Sequence, residues 1–357
     1  MCPILIIVTM SKKKTPCALL LNDIHVSKDN IGEFNKNWDE ALKICDERNI
    51  PEIIIGGDLW QSRSAQNLST LLAVRAAIQK AQAQDLFLTI AEGNHDLVDQ
   101  EELLGYSHIF DGYKNVDVIG DYAVLSFSED LTLIVMSYFP ESGSFIPRLN
   151  SIIDDVMEPG ITNVLYIHQG IKGGLDQPRE DELPSKIFEP FDRTLVGHYH
   201  DRKKIPGTHI EYIGASRQHN FGEDEEKGYT ILFDDGTTEF VKNQANIRFK
   251  TIIVNYPDID NDFLESIKEL KKDQRYRLRI KVACYSNEAS TVDKQALIDA
   301  GASKVEIVTE KVEETMITAQ SFDKKYDKSG IKDAYSEFCN SKEIEPELGI
   351  EYLNKIS

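Results

Sequence analysis

The sequence predicts an α/β fold for a large amino-terminal domain over residues 1–245. Short apolar, β-branched runs recur through the first half of the chain, and segments with helical periodicity separate them. The runs are CALLLND, EIIIGGD, LFLTIAEGN, NVLYIHQG and RTLVGHYH. Strands that alternate with helices in this way are typical of domains in which helices cover a central sheet.

The segments between these runs predict the individual elements. Apolar residues recur at steps of three and four over 31–48, which predicts an amphipathic helix, and a second helix is expected over about 66–84. The segment Asp99-Gln-Glu-Glu102 has the pattern of a capping box and predicts the start of a further helix. The alternation over 122–138 predicts a β-hairpin.

The character of the sequence changes near residue 245. Strand-like and helix-like segments alternate again from IRFKTIIVNYP to KVEIVTEKV, and they predict a small α+β capping domain over 246–322. The remaining residues, 323–357, are polar and charged with scattered aromatic side chains. We interpret them as a carboxy-terminal tail.

Charge and composition exclude several classes of protein. The formal charge is −20, from 60 acidic and 40 basic residues, which argues against coating of nucleic acid by bulk electrostatics. Nucleic acid remains possible as a substrate because metal ions in a site hold phosphate locally. No apolar stretch approaches the roughly 20 residues of a membrane helix. The five cysteines include no CxxC pair, so we expect a cytoplasmic protein that does not associate with membranes.

Each of the five apolar runs ends in polar residues that can bind a metal. In chain order these residues are Asp23, His25, Asp58, Asn94, His95, His168, His198 and His200. Because ligands in α/β sheets lie beyond the carboxyl ends of the strands, we expect these side chains to meet in one crevice. Taken singly, each has an ordinary structural explanation, such as a helix N-cap. Five coincidences at equivalent positions favour a shared site.

The ligand types indicate the chemistry. Carboxylate, amide and imidazole ligands together suit manganese, iron or zinc better than calcium or magnesium. Seven ligands are too many for one tetrahedral zinc, whereas two ions that share a bridging carboxylate would use them all. Two such ions clamp a phosphate and activate a water molecule, so the set predicts phosphoester hydrolysis.

The motifs DIH, GGDLW, GNHD, YIHQG and GHYH, in this order, resemble the five motifs of the calcineurin-like metallophosphoesterases. The resemblance implies a four-layer α/β/β/α sandwich with a dinuclear centre, for which we expect manganese. It implies two ligand sets and a bridge: Asp23, His25 and His200; Asn94, His168 and His198; and the bridging Asp58. It also implies that His95 is the general acid and that Asp96 orients it.

The segment IEYIGASRQHNFGEDEEKGYTILFDDG resembles the end of the nuclease domain in SbcD-type DNA repair exonucleases, which a capping domain follows. The resemblance implies a DNA exonuclease or endonuclease of double-strand-break repair or recombination. It further implies a homodimer whose tail, 323–357, binds the coiled coil of an SMC-like ATPase. Gln61 departs from the histidine or aspartate that many of these nucleases carry.

Two other functions remain open from the sequence. A phosphodiesterase for small molecules, such as cyclic nucleotides or nucleotide diphosphates, would use the same metal motifs. A scaffold without activity that recruits an ATPase would keep the tail. The GDLWQSR and GNHD motifs differ from the GDxxDRG and GNHE of protein phosphatases, which makes a phosphoprotein substrate the weaker interpretation.

A basic segment in the second domain is a candidate DNA-binding face. Residues 268–281 hold seven basic and two acidic residues, a local charge of +5 (7 − 2). The side chains at alternate positions of the predicted strand share one face: Arg275, Arg277, Arg279 and Lys281. Contact with DNA phosphates and a solvated face balanced by nearby acids are both compatible with this pattern. Arg217 is a further candidate beside the crevice.

Overall fold

The computed structural model describes residues 14–177 and 179–310 and, near the carboxyl end, residues 335, 336, 339, 346 and 350. Most of the predicted tail, 323–357, therefore lies outside the described residues. The chain divides into two compact units, residues 1–282 with 293–306 and residues 283–292 with 307–357. The domain limits at 245 and 322 stay predictions. No helix in the described ranges has both the length and the apolarity of a membrane span.

The helices and strands of the described ranges alternate along the chain. The α-helices are α1 (Ile31–Arg48), α2 (Leu68–Ala83), α3 (Phe145–Asp155), α4 (Asn261–Lys271) and α5 (Lys294–Ala300). The strands are β1 (Pro16–Leu21), β2 (Glu52–Gly56), β3 (Phe87–Ala91), β4 (Val116–Ile119), β5 (Tyr122–Ser128), β6 (Leu131–Met136), β7 (Thr162–His168), β8 (Arg193–Gly197), β9 (Lys203–Lys204), β10 (Ile210–Tyr212), β11 (Gly228–Phe233), β12 (Thr238–Lys242), β13 (Arg248–Asn255), β14 (Tyr276–Tyr285) and β15 (Lys304–Glu310). Short 3-10 helices lie at Tyr106–Phe110, Ser185–Phe188 and Tyr256–Asp258.

Most local predictions agree with these elements. Helix α1 covers the predicted 31–48, α2 lies within the predicted 66–84, and β5 and β6 form the predicted hairpin. The helix predicted to begin at Asp99 is wrong. The backbone N–H of Glu102 donates to the Asp99 carbonyl oxygen at 3.2 Å, which closes a turn and not a helix. The segment has no apolar face to bury, so tertiary packing gives a helix no support.

Two six-stranded sheets pack face to face. The first has the order β12-β11-β1-β2-β3-β4 and the second the order β5-β6-β7-β8-β10-β9. Leu20 and Ile54 of the first sheet and Leu133 and Tyr166 of the second belong to the core between them. The central strands β1, β2 and β3 are parallel, as are β6, β7 and β8, and they are continuous apolar runs because both of their faces are covered.

Helices cover the two outer faces of the sandwich. Trp38 of α1 and Ile78 of α2 pack with the first sheet, and Phe145 of α3 packs with the second. The predicted α/β/β/α layers are confirmed. Beyond the sandwich, β13, β14 and β15 form a three-stranded sheet in that order. Helices α4 and α5 alternate with these strands, which confirms the predicted α+β composition of this region.

The side chain of Tyr166 ties the second sheet to the end of β1. Tyr166 is fully buried, and its hydroxyl lies 3.0 Å from the Leu21 carbonyl oxygen and 2.9 Å from Asn22 Oδ1. Asn22 is also fully buried and donates through Nδ2 to the Gly214 carbonyl oxygen at 2.9 Å. The point at which the chain leaves β1 is therefore fixed from across the sandwich.

Replacing Tyr166 by phenylalanine tests this link. The change removes the donor to Asn22 Oδ1 in a site without room for a substitute, so we expect the free energy of unfolding to fall by about 1–3 kcal/mol. Urea denaturation measures it. Tyr122→Phe is the matched control because Tyr122 is 37% exposed and its hydroxyl has no hydrogen bond to a described residue. Equal losses in the two variants would contradict the link.

Candidate metal centre

The structure brings the seven predicted metal ligands into one cluster at the carboxyl ends of β1, β2, β3, β7 and β8. One atom of each residue in the group Asp23, His25 and His200 lies within 4.8 Å of the others, and so does one of each in the group Asp23, Asp58 and His168. His198 Nδ1 lies 3.1 Å from Asn94 Oδ1. Residues from distant parts of the sequence thus meet where parallel strands of both sheets end.

Four of these residues have left-handed backbone conformations. The φ angles are 51° at Asp23, 50° at His25, 54° at Asp58 and 86° at His198. Such angles are uncommon for residues other than glycine and persist where the surrounding structure enforces them, often at functional sites. Here backbone hydrogen bonds enforce them, because Asp23 N–H donates to Gly57 O at 3.1 Å and His25 N–H to Asp58 O at 2.9 Å. The chain turns sharply after each strand.

Glycines in the motifs leave room for the ligands. A Cβ atom on Gly93 would lie 2.2 Å from Asp58 Oδ1, and one on Gly57 would lie 2.5 Å from His168 Nδ1. A Cβ atom on Gly197 would also lie 2.8 Å from His168 Nδ1. The space that any other residue would fill is therefore taken by Asp58 and His168.

Buried polar atoms in the cluster fit a divalent cation. Asp23 and His168 are both 0% exposed, and Asp23 Oδ1 and His168 Nε2 have no hydrogen-bond partner. His168 Nδ1 lies 3.0 Å from the Gly56 carbonyl oxygen, so Nδ1–H donates there and Nε2 faces the cluster. Unpartnered buried polar groups are costly, and a metal ion supplies the missing partner for both atoms. The donor set matches a borderline divalent ion.

Burial and the carboxylates set the charge of the imidazoles. Burial lowers the pKa of His25 and that of His198 to about 4, which keeps both neutral, the form that binds metal. Burial also opposes protonation of His168, but Asp58 and Asp23 outweigh it and raise the His168 pKa to about 9. The two carboxylates therefore attract positive charge to the centre of the cluster.

His95 lies at the edge of the cluster. Its ring is 4.8 Å from that of His25, and its backbone N–H donates to Asp58 Oδ1 at 2.9 Å. Its Nδ1 is 2.9 Å from the backbone carbonyl oxygen of Gln61. Asp96, expected to orient His95, accepts hydrogen bonds from backbone N–H groups instead, Trp60 at 2.8 Å and Gly93 at 2.7 Å among them. Residue 61 thus acts through its backbone, which any residue supplies.

Sequence reasoning missed two polar residues around the cluster. Glu223 Oε1 lies 2.9 Å from His200 Nδ1. His219 Nε2 lies 2.8 Å from the Asp23 carbonyl oxygen, and its ring is 4.6 Å from that of His200. Both residues lie in a loop and not at a strand end, so the strand-end criterion passed over them. Their one signal was their place in the segment that resembles the SbcD-type nucleases.

Three curated relatives have detectable sequence similarity. The chain is 28% identical over 289 residues to phosphoesterase 244L of Invertebrate iridescent virus 6, covering 77% of this chain and 97% of that protein. It is 22% identical over 279 residues to phosphoesterase 078R of Invertebrate iridescent virus 3, covering 76% and 77%. It is 24% identical over 246 residues to the SbcD component of the nuclease SbcCD of Staphylococcus saprophyticus, covering 60% and 64%.

The chain is a metallophosphoesterase. The relatives confirm the resemblance to SbcD-type nucleases that the motifs indicated. No family model matches the chain. A solved structure, the nuclease MPE of Pseudomonas putida, aligns with 61% of this chain and 84% of its own at 15% identity and a TM-score of 0.27, too low for an argument about the fold.

Two of the basic residues proposed for DNA contact are engaged inside the metallophosphoesterase. Arg217 is 4% exposed, and its Nε–H donates to the Ile24 carbonyl oxygen at 2.8 Å. Arg279 donates to Thr251 Oγ1 at 2.9 Å and to the Phe221 carbonyl oxygen at 3.3 Å. Their guanidinium groups hold loops together.

The other members of the basic face differ in their contacts. Arg275 forms an ion pair with Asp273 at 2.6 Å. Arg277 and Lys281 are half-buried, and neither has an ion pair with a described residue. The alternation predicted for the strand is present, since Leu278 and Ile280 are fully buried on the opposite face. Arg277 and Lys281 are thus the residues of this face with charge available to a ligand.

Two cavities open beside the metal cluster and share His198. The larger has a volume of about 450 Å³ and also contacts His200. The smaller, about 150 Å³, is lined by Asn94 and by the guanidinium-bearing residues Arg63 and Arg179. A phosphate at the cluster would therefore have space on both sides for the rest of the substrate.

Gly93→Ala tests the packing around Asp58. The new Cβ would lie 2.2 Å from Asp58 Oδ1, so the carboxylate must move. We expect the affinity for Mn²⁺ to fall by about 10- to 100-fold, as when a ligand loses its support, measured by calorimetry on metal-free protein. Gly32→Ala in α1 is the control, because no atom lies within 4 Å of its Cβ. Unchanged affinity in Gly93→Ala would remove Asp58 from the metal centre.

Proposed function

We propose that this metallophosphoesterase is a DNA nuclease that hydrolyses phosphodiester bonds with two divalent ions, for which manganese is the best match among the borderline metals. One observation carries the proposal. Seven ligands from five strand ends converge around Asp23 Oδ1 and His168 Nε2, which are buried and without hydrogen-bond partners. Dinuclear sites of this composition are suited to in-line displacement at phosphorus.

We assign the ligands to two ions with Asp58 as the bridge. Asp58 Oδ2 lies 3.4 Å from His25 Nε2 and 3.3 Å from His168 Nε2, between the two proposed sets. His25 Nε2 and His200 Nε2 are 3.3 Å apart, which supports their assignment with Asp23 to one ion. The contact between Asn94 and His198 supports their assignment with His168 to the other.

The chain itself positions the proton donor. Two bound ions polarise the phosphate and lower the pKa of a coordinated water molecule. Gln61 accepts the Nδ1–H of His95, so His95 Nε2 remains available to protonate the leaving oxygen or to contact the phosphate. Imidazole suits this role because it exchanges a proton near neutral pH. Asp96 acts indirectly, by holding the loops after β2 and β3 together.

DNA is the proposed polymer because the motifs and the following α+β region resemble SbcD-type nucleases. The proposal includes a role in double-strand-break repair or recombination, a homodimer, a capping domain over 246–322 and an SMC-like ATPase bound by the tail. A small-molecule phosphodiesterase is the second candidate. The formal charge of −20 favours it, as does the internal engagement of Arg217 and Arg279.

His95→Asn separates proton transfer from metal binding. In Mn²⁺, the protein should degrade linear DNA, and the variant should be slower by about 10²- to 10⁴-fold with unchanged metal affinity, since His95 is not a ligand. His198→Ala should lose affinity for one ion and activity together. Hydrolysis of bis(p-nitrophenyl) phosphate or cyclic nucleotides without cleavage of DNA would favour the second candidate. Bound metal without any hydrolysis would favour a scaffold.

Reversing the charge of Arg277 and Lys281 tests the DNA face. The double change to glutamate should weaken DNA binding and lower the slope of log K against log salt concentration by about 1 for each lost phosphate contact. The same reversal at Lys36 and Lys43, exposed lysines of α1, is the control for net charge. Binding that responds equally to both pairs would remove this face from the proposal.

A further inference from the structure

We propose that Glu223 is a positioning residue for His200, which it holds in the orientation that binds metal. The inference rests on the proposed function, because it takes His200 to be a ligand. Glu223 Oε1 lies 2.9 Å from His200 Nδ1. His200 Nε2 consequently faces the cluster, 3.7 Å from Asp23 Oδ1. Metal-binding histidines commonly donate their other ring N–H to a carboxylate, which fixes the tautomer and the ring plane.

The Glu223 carboxylate is itself fixed by its neighbours. Its side chain is 9% exposed. Oε2 accepts the backbone N–H of His219 at 2.9 Å, and Oε1 accepts the Asn220 side-chain amide at 2.8 Å. Both oxygens are therefore engaged, and the acceptor that faces His200 is preorganised.

The loop that carries Glu223, residues 217–223, is anchored at both sides. Arg217 binds the Ile24 carbonyl oxygen, next to the ligand His25. Gln218 pairs with the backbone of Phe249 in β13, with Nε2 2.9 Å from the carbonyl oxygen and Oε1 2.8 Å from the N–H. The loop is thus joined to the end of β1 and to the sheet that follows the sandwich.

Arg279 of β14 provides a second anchor to that sheet. Besides its hydrogen bond to the Phe221 carbonyl oxygen, its guanidinium lies 4.9 Å from the centroid of the Phe221 ring. The Phe221 ring packs edge to face on Phe249 at 5.1 Å. A continuous series of contacts therefore runs from Arg279 through Phe221 and Glu223 to His200. The arginine that the sequence suggested for DNA supports a metal ligand instead.

A third ion is the competing explanation for this cluster. One atom each of His200, His219 and Glu223 lies within 4.8 Å of the others, as in a metal site. Against it, His200 Nδ1 and both Glu223 oxygens already have hydrogen-bond partners, and His219 Nε2 is occupied by the Asp23 carbonyl oxygen. The stoichiometry of binding separates the two explanations.

The test compares Mn²⁺ binding to the metal-free full chain and to Glu223→Ala, Glu223→Gln and Glu225→Gln, by calorimetry and by electron paramagnetic resonance. Glu225 lies in the same segment, 3.5 Å from Arg248, and its replacement removes the same charge without touching His200. We expect Glu223→Ala to weaken one of two ions by about 10- to 100-fold. At limiting Mn²⁺ its spectrum should show a mononuclear ion where the wild type shows a coupled pair.

The variants differ in what they preserve. Glu223→Gln keeps an acceptor for His200 and should lose less affinity than Glu223→Ala, while Glu225→Gln should bind both ions like the wild type. Thermal unfolding of the metal-free variants separates a misfolded protein from a repositioned ligand. Arg279→Gln should weaken the same ion by a smaller factor, because it acts through the loop.

Three results would overturn the inference. These are two ions of wild-type affinity in Glu223→Ala, equal loss in Glu225→Gln, or a third ion in the wild type that Glu223→Ala loses. Failure of the nuclease proposal has a different signature. Wild-type protein that binds two ions without cleaving DNA overturns that proposal, and the order of the variants still decides the role of Glu223.

Discussion

The burial of two carboxylates at the edge of the sandwich is the constraint that governs the site. Asp23 is 0% exposed and Asp58 is 2% exposed. Buried charge costs several kcal/mol unless partners compensate it, on the order of a large part of a domain's stability. Backbone N–H groups supply part of the compensation, from His198 to Asp23 Oδ2 at 3.2 Å and from His95 to Asp58 Oδ1. The strand ends of both sheets must therefore stay in place together.

The rest of the sandwich supplies the rigidity that this arrangement requires. Parallel strands fix the spacing of the ligands along each sheet, and Tyr166 fixes the end of β1 from the opposite sheet. The left-handed conformations at Asp23 and Asp58 are held by the hydrogen bonds between their two loops. A site on rigid strand ends keeps its ligands in a narrow range of positions, as metal chemistry requires.

The net charge of −20 shapes what the site can attract. A strongly negative surface concentrates cations and repels polyanions. Metal ions thus gain from the overall field, whereas a DNA substrate needs local positive charge. The bound ions, Arg63 and Arg179 beside the smaller cavity, and the free charges of Arg277 and Lys281 are the places where the described part of the chain offers it.

The class of sandwich and the set of candidate ligands were predictable from the amino-acid sequence. Buried parallel strands are visible as apolar runs, and the polar residues that end them have few roles other than binding at a shared edge. Helix α1 was predictable for the same kind of reason, because its buried face has a fixed period.

The surroundings of the ligands became visible in the folded chain alone. Periodicity placed Arg277 and Arg279 on one face of β14, but it could not show that Thr251 and Phe221 engage Arg279. Likewise, nothing local joins Glu223 to His200, or Gln61 to His95, because these contacts connect loops that are distant in sequence. Loops lack a repeating pattern, so their partners are fixed by the packing of the whole domain and not by their own residues.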